Sequence, residues 1–303
     1  MNRGTAFAPG SIGNVGPGFD VLGLAVEGIG DTVTVELTKG TSRIIEVTGR
    51  DADFVPRDPA RNTAAIAANA HLRPYGFKAI LSIRKGLPLS GGMGGSAASS
   101  VAGAYAAGLA LGQAPNVRDV LASALEGEAF VSGRHLDNIA PSTVGGLALS
   151  RSTDPIDVIK LPVAAEWWIA LVTPNVRVST KHARSILPDS CDRATWIQQM
   201  ANTTALAHAF TTGDAALVGR ALDDRYAEPR RAALIPHFAD VKRAALEGGA
   251  LGCSISGSGP TLFAIAADSH SAHAIAEAMQ RAFAEVESSV HVGAIAKQGV
   301  RAA

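Results

Sequence analysis

Cysteine is almost absent from this chain: Cys191 and Cys253 are the two in 303 residues, and neither has a second thiol or a histidine at ligand spacing. That excludes a disulfide framework or a cysteine-based zinc site and fits a reducing compartment. Net charge is missing as well. The 27 basic and 27 acidic residues cancel, so no overall field draws the chain to nucleic acid or to a membrane surface. Long apolar runs are also lacking. The most hydrophobic stretch, AASSVAGAYAAGLALG at 97–112, is mostly Ala, Gly and Ser, and it falls short of the ~18 residues that suggest a membrane span. The opening MNRGTAFAPG has no apolar segment of a signal peptide, so a cytoplasmic protein is expected. The eight histidines are scattered; His270 and His273, three apart, read as an exposed helix start rather than a metal site.

What is present is an ordinary globular balance, 47% apolar and 18% charged, on a length that suits two domains better than one. Across 31–38, Val33, Val35 and Leu37 alternate with Thr34, Glu36 and Thr38, the period of a half-buried strand. Residues 43–48 read as its neighbour, 60–76 as a helix ended by Pro74 and Gly76, and 78–84 as a strand running into a glycine loop. A small-residue helix follows from Ser96 to about Leu111. A second helix is capped by Asn116, with Val117, Val120, Leu121, Ala124 and Leu125 as its buried stripe. After a short strand at 145–150, the polar RSTDPID is the expected seam, giving domains 1–153 and 154–303. Beyond it come strands at 156–161 and 167–174, several helices to about 226, and a helix ended by Gly248 and Gly249. A strand at 261–267, a helix at 271–286 and a last strand at 290–296 complete the chain. Strands segregated from helix runs predict an α+β fold.

Glycine is concentrated in three stretches. PLSGGMGGSAASS, Pro88 to Ser100, places four glycines within 91–95, between a strand and a helix start. That order presents free N–H groups and the positive end of a helix dipole, as an anion cradle needs. The plainer alternative is a turn that allows close packing. Gly92, Gly94 and Ala97 match G-x-G-x-x-A, yet a second helix follows instead of an acid-tipped strand, which argues against a dinucleotide fold. Walker A fails for want of Gly-Lys-Ser/Thr. APGSIGNVGPGFD at 8–20 reads as an irregular loop able to present Asn14 and Asp20, or as a plain surface loop. GALGCSISGSGPTLFA at 249–264 reads either as a second anion site or as a turn leading into an apolar strand.

Glu128 is out of place. At about 100° per residue it falls inside the apolar stripe of the second helix, while Glu126 faces water. A carboxylate aimed at a core needs a cation or donors. An arginine partner would serve, as would a metal ion beside a phosphate site, since Mg²⁺ typically takes few protein oxygens. His135, Asp137 and Asn138 cluster just past that helix.

These pieces in this order resemble the GHMP kinases, ATP-dependent kinases of small molecules. PGFD at 17–20, PLSGGMGGSA at 88–97 and GCSISGSGPT at 252–261 are similar to that family's G-x-G-F-D-like run, P-x-x-x-G-L-G-S-S-A loop and G-x-x-x-S-G-S-G-P-T turn. HLDNIAP at 135–141, TKHARSILP at 180–188 and EPRRAALIP at 228–236 resemble the branch that phosphorylates L-homoserine in threonine biosynthesis. Mevalonate-type and sugar-type members share the glycine motifs and form the alternative.

The resemblance implies a two-domain α+β fold, with an N-terminal mixed sheet carrying the phosphate loop and a C-terminal ferredoxin-like sandwich. It implies ATP and Mg²⁺, and an ATP-binding segment of Pro88, Leu89, Ser90, Gly91, Gly92, Met93, Gly94, Gly95, Ser96, Ala97 and Ala98, with Asn62 near adenine. Ser96 and Glu128 would hold the metal. Asn14, Asp20, His135, Asn138, Thr180, Arg184 and Arg231 would bind homoserine, with Asn138 and Asp20 orienting its hydroxyl and no strong general base. A homodimer is implied too. Two departures from the family pattern are Gly95 in place of serine with Met93 in place of leucine, and PGSIGN at 9–14 in place of P-A-T/S-S-A-N.

Overall fold

The computed structural model describes residues 2–303. Its first sheet is built on two long antiparallel strands, β1 (Arg3–Gly13) and β2 (Leu22–Thr38). β3 (Arg43–Gly49) leads to helix α1 (Thr63–Leu72), and β4 (Lys78–Lys85) runs into the glycine loop and α2 (Gly95–Ala110). Then come α3 (Val117–Val131), α4 (Ile139–Val144) and the hairpin of β5 (Leu147–Thr153) with β6 (Ile156–Leu161).

The second half opens with β7 (Trp168–Pro174). Four helices follow: α5 (Thr180–Ser185), α6 (Arg193–Thr212), α7 (Ala215–Ala221) and α8 (Glu228–Arg231). α9 (Phe238–Glu247), β8 (Gly252–Ile255), β9 (Leu262–Ala266), α10 (Ser269–Ala282) and β10 (Ser288–Ala294) complete this unit, and β11 (Arg301–Ala302) returns to pair with β1.

The first sheet runs β11-β1-β2-β4-β3, with β5 also on β2 and β6 beyond it. Only β3 and β4 are parallel among the described strands. α2 packs on β1 and β2, flanked by α1 and α3. Its Ala, Gly and Ser residues allow very close approach: a Cβ on Gly103 would meet the Ala64 carbonyl oxygen at 2.4 Å. Burial follows from the small-residue sequence, and the apolar area removed from water is the main term holding the layer together. The second sheet runs β10-β7-β9-β8, all antiparallel, with α9 and α10 packed against it. Numbered within the unit this is the order 4-1-3-2 of a ferredoxin-like sandwich, with α5 to α8 inserted after its first strand. The α+β fold with an N-terminal mixed sheet is therefore as the sequence implied.

Three expectations are corrected. Residues 8–13 are interior strand, not loop; the loop proper starts at Asn14. Pro9 sits at the register shift between Pro9 and Gly10, where a residue without an N–H is tolerated, so its turn-like local signal is overridden by pairing with β2 before and after the shift. RSTDPID is the turn of the β5–β6 hairpin, with Thr153 opposite Ile156, so the 153/154 boundary falls inside one sheet. The change of sheets comes at 162–167 instead, because Asp-Pro serves a hairpin turn as well as a linker. Val117 is 50% exposed rather than part of the buried stripe. It is the first helical residue, and a helical side chain leans back toward the N-terminus, here past the end of the helix.

Candidate active site

A cavity of about 370 Å³ opens between the two sheets. All three glycine stretches meet at it. The Ser256 hydroxyl donates to the Gly92 carbonyl at 2.6 Å, and Thr261 donates to that of Gly91. Ser11 N–H bonds the Met93 carbonyl at 3.1 Å, and Gly257 N–H bonds that of Gly13 at 3.1 Å. Glycine is required at 92: φ is +76°, and a Cβ would lie 2.5 Å from the Ser256 carbonyl oxygen. The turn at 256–260 is thus a clasp on the loop, and its Gly257 and Gly259 amides are already bonded within the protein.

The loop itself is left open to a ligand. α2 starts from Gly94 with no side-chain cap, so the amides of its first turn remain free donors at the positive end of a helix dipole. Pro88, Leu89, Ser90, Gly91, Gly92, Gly94, Gly95 and Ser96 line the cavity. Met93 and Ala97 are buried in the core beneath it. Ala98 is a correction. It is fully buried and its amide already bonds the Gly94 carbonyl at 2.8 Å, as the fifth residue of a helical turn must. Asn62 lines the cavity from the N-cap of α1, accepting from Ala65 N–H and donating to the Pro56 carbonyl.

On the opposite wall Arg184 grips Asp20 with both terminal nitrogens, at 3.0 and 2.8 Å, and His135 Nδ1 lies 3.4 Å from the same carboxylate. Burial holds His135 below the usual imidazole pKa, against the pull of Asp20. Arg231 is buried, bonded to the Ala183 and Gly257 carbonyls, and both arginines sit over Phe19 at 5.3 and 5.4 Å. Asn14 braces the loop: its Oδ1 accepts from Asp20 N–H and its Nδ2 donates to the Gly257 carbonyl. Thr180, the first residue of α5, faces Ser258 at 3.3 Å. Sequence reasoning missed the brace behind Arg231. Asp224 accepts from Ala227 N–H and Glu228 N–H at the start of α8, and Gln199 bridges it to the Pro17 carbonyl.

Deeper in the cavity lie the acids. Glu128 is 7% exposed, as its place in the helical stripe requires, and Glu126 pairs at the surface with Arg73. Burial raises the Glu128 pKa, with the Ser132 and Ser96 hydroxyls opposing. Its Oε1 accepts from Ser132, while Oε2 is buried with no partner. No arginine pairs with it among the described residues; its one side-chain partner is the Ser132 hydroxyl. Asp137 is pushed up to about 7, chiefly by burial and then by Asp20 and Glu128. Asn138 is held from both ends: its Oδ1 accepts from Ser11 at 2.9 Å and its Nδ2 donates to Asp137 at 3.2 Å. The candidate ligand residues therefore share one space, with no metal-ligand cluster of three or more His, Cys, Asp or Glu among the described residues.

A second miss is the buried pair Lys85–Asp31 under the loop. Lys85 ends a strand and Asp31 sits within another, and nothing local links two residues so far apart in the chain.

Comparison with known proteins identifies the family. The family described as GHMP kinases N terminal domain matches residues 61–146, and GHMP kinases C terminal matches 206–285. A homoserine kinase of Chlorobium phaeobacteroides is 40% identical over 99% of both chains. One from Pyrococcus abyssi is 44% identical over 86% of each. The crystal structure of homoserine kinase from Cytophaga hutchinsonii superposes with a TM-score of 0.93 at 41% identity, covering 100% of this chain and 98% of that one.

Proposed function

This chain belongs to the homoserine kinases, a branch of the GHMP kinases, and on that premise we propose how its residues divide the transfer of the ATP γ-phosphoryl group to the side-chain hydroxyl of L-homoserine. The observation that carries the reading is one shared cavity, which sets an uncapped helix N-terminus opposite the Asp20–Arg184–Arg231 set. Neither the mevalonate-type nor the dinucleotide alternative is favoured by relatives of this similarity.

The amides from Ser90 to Ala97 take the triphosphate. Asn62, whose amide is engaged at both ends, shapes the adenine end rather than reading the base. The buried, unpartnered Oε2 of Glu128 and the nearby Ser96 hydroxyl suit a hard cation. These two residues would hold Mg²⁺, which when bound neutralises charge on the phosphates.

Homoserine is a zwitterion with a hydroxyl. Its carboxylate matches the planar forks of Arg184 and Arg231, and its ammonium matches the carboxylate of Asp20. His135, Asn14 and Thr180 enclose the same space. With its Oδ1 tied to Ser11, Asn138 offers an N–H to the hydroxyl oxygen rather than an acceptor for its proton. Orientation and charge neutralisation then supply the rate, as a loose phosphoryl transition state allows, without a strong general base.

Incubation with ATP, Mg²⁺ and L-homoserine should yield O-phospho-L-homoserine; no product at high enzyme concentration overturns the assignment. The reading also carries a homodimer and a cytoplasmic location. Among the described residues no helix is long and apolar enough to cross a membrane, and light scattering tests the dimer.

A further inference from the structure

A P-loop carries its lysine after the glycines. This chain has one before them, locked beneath the loop. Lys85 is 4% exposed and Asp31 is completely buried. The Lys85 ammonium donates to Asp31 Oδ2, to Ser99 Oγ at 2.8 Å and to the Gly95 carbonyl at 3.1 Å, which uses all three of its donors. Asp31 accepts in return from Ser99 Oγ at 2.6 Å, and from Gly86 N–H and Leu87 N–H at 3.0 and 3.2 Å.

The partners of this pair are the two ends of the phosphate loop. Gly86 and Leu87 lead into it from β4, and Gly95 and Ser99 lie on the first turns of α2. Charge makes the arrangement telling. A helix N-terminus favours anions and disfavours cations, yet an ammonium is placed against the first carbonyl of α2. Helix stability alone would not select that. A buried ion pair is also weak evidence for stability, because desolvation offsets most of the Coulomb attraction. Both costs make sense if the loop must be held in one shape with positive potential facing an anion. Lys85 and Ser99 also line the cavity.

We propose that Asp31 and Lys85 are positioning residues for the phosphate loop: together they hold both of its ends and so set the affinity for ATP, while the homoserine wall is independent of them. This rests on the reading that the ATP phosphates lie on this loop.

Lys85→Met alone leaves a buried unpaired carboxylate and is prone to misfold, so the informative variant is Asp31→Asn with Lys85→Met, which removes both charges at nearly constant volume. Its KM for ATP, and its ADP Kd by calorimetry, should rise about tenfold, as for small misplacements of binding groups, with the KM for homoserine within about twofold of wild type. Ser99→Ala, which removes only the bridging hydroxyl, is the milder second probe and should raise the ATP KM about threefold at unchanged homoserine KM. A merely structural pair would lower the Tm and leave both KM values alone. Wild-type ATP affinity in the double variant, or in Ser99→Ala should the double variant not fold, overturns the proposal. So does a rise shared equally by both substrates. Ser96→Ala separates the two readings: if it weakens MgATP while the pair variants do not, the loop reading stands and the positioning role fails. If none of them affects ATP, the loop reading itself is wrong.

Discussion

Arg184 and Asp20 form a two-bond fork, Nη1 to Oδ2 at 3.0 Å and Nη2 to Oδ1 at 2.8 Å, while the Arg184 Nε is buried with no acceptor. The acid therefore occupies the surface that an α-carboxylate would use, and the unmet Nε leaves the arginine one donor short of satisfaction. On the proposed placement of homoserine, its binding shares or shifts this fork. Asp20 sits at φ +58° just before β2, a backbone state that L-residues adopt at a cost, with its N–H held by Asn14 Oδ1.

Arg184→Lys keeps the charge but loses the planar fork. The kcat/KM for homoserine should fall about 10²-fold, mostly through KM, with the KM for ATP nearly unchanged. Initial rates with each substrate varied in turn check this.

Glu128→Gln keeps the shape and removes the charge beside Ser96. Turnover should fall about 10²-fold, and the Mg²⁺ concentration for half-maximal rate should rise. ADP binding without metal should stay as in the wild type, which calorimetry with a chelator present would show.

Asn138→Ala removes an amide held between Ser11 and Asp137. The kcat should fall about 10²-fold through lost orientation, with a smaller change in homoserine KM. A carboxylate whose removal abolished turnover while leaving substrate binding intact would count against the absence of a general base.

Asp137 has its pKa pushed up from an ordinary 3.8 to about 7, mainly by burial. Between those values the folded state holds a proton that the unfolded chain has released, so its contribution weakens the fold as pH rises from about 4 to about 7. Asp137→Asn should stabilise the ligand-free protein at pH 8 and lose that advantage near pH 4. Thermal melts of both proteins at the two pH values test the sign.

Gly95→Ser restores the hydroxyl of the family pattern. Gly95 needs no left-handed backbone, and its Cβ would meet the Pro88 carbonyl oxygen at 3.1 Å and the Leu87 Cβ at 3.6 Å, a tight fit that a shift of a few tenths of an ångström relieves. The variant should fold and bind ATP about three times more tightly, as for one added hydrogen bond. An ATP titration decides it.

Much of the site was legible in the sequence because its parts are local. A helical period places Glu128 among buried residues wherever the helix lies, and glycine spacing marks a loop that a ligand or another backbone approaches closely. Ser96, His135, Asn138, Arg184 and Arg231 follow from short motifs, and the structure brings them into one cavity. Strand 3–13 was not legible, since Pro9 and its neighbouring glycines carry a turn signal and only pairing with β2 makes them sheet. The seam was misplaced for the same reason: Asp154 and Pro155 make a turn, and local chemistry does not say whether a hairpin or a linker follows.

The sequence by itself determined an α+β chain with a phosphate loop, an acid in a helical core stripe and the residue set of a homoserine kinase. Tertiary structure alone decided which of those residues line the cavity and which brace it: Asn14 holds a loop, Ala98 is internal to a helix, and Asp224 stands behind Arg231. It alone joined Asp31 to Lys85 across 54 residues and Asp20 to Arg184 across 164. Periodicity and propensity act within a few turns of chain, whereas contacts at such separations are set by sheet register and by the packing of one sheet's loops on the other's.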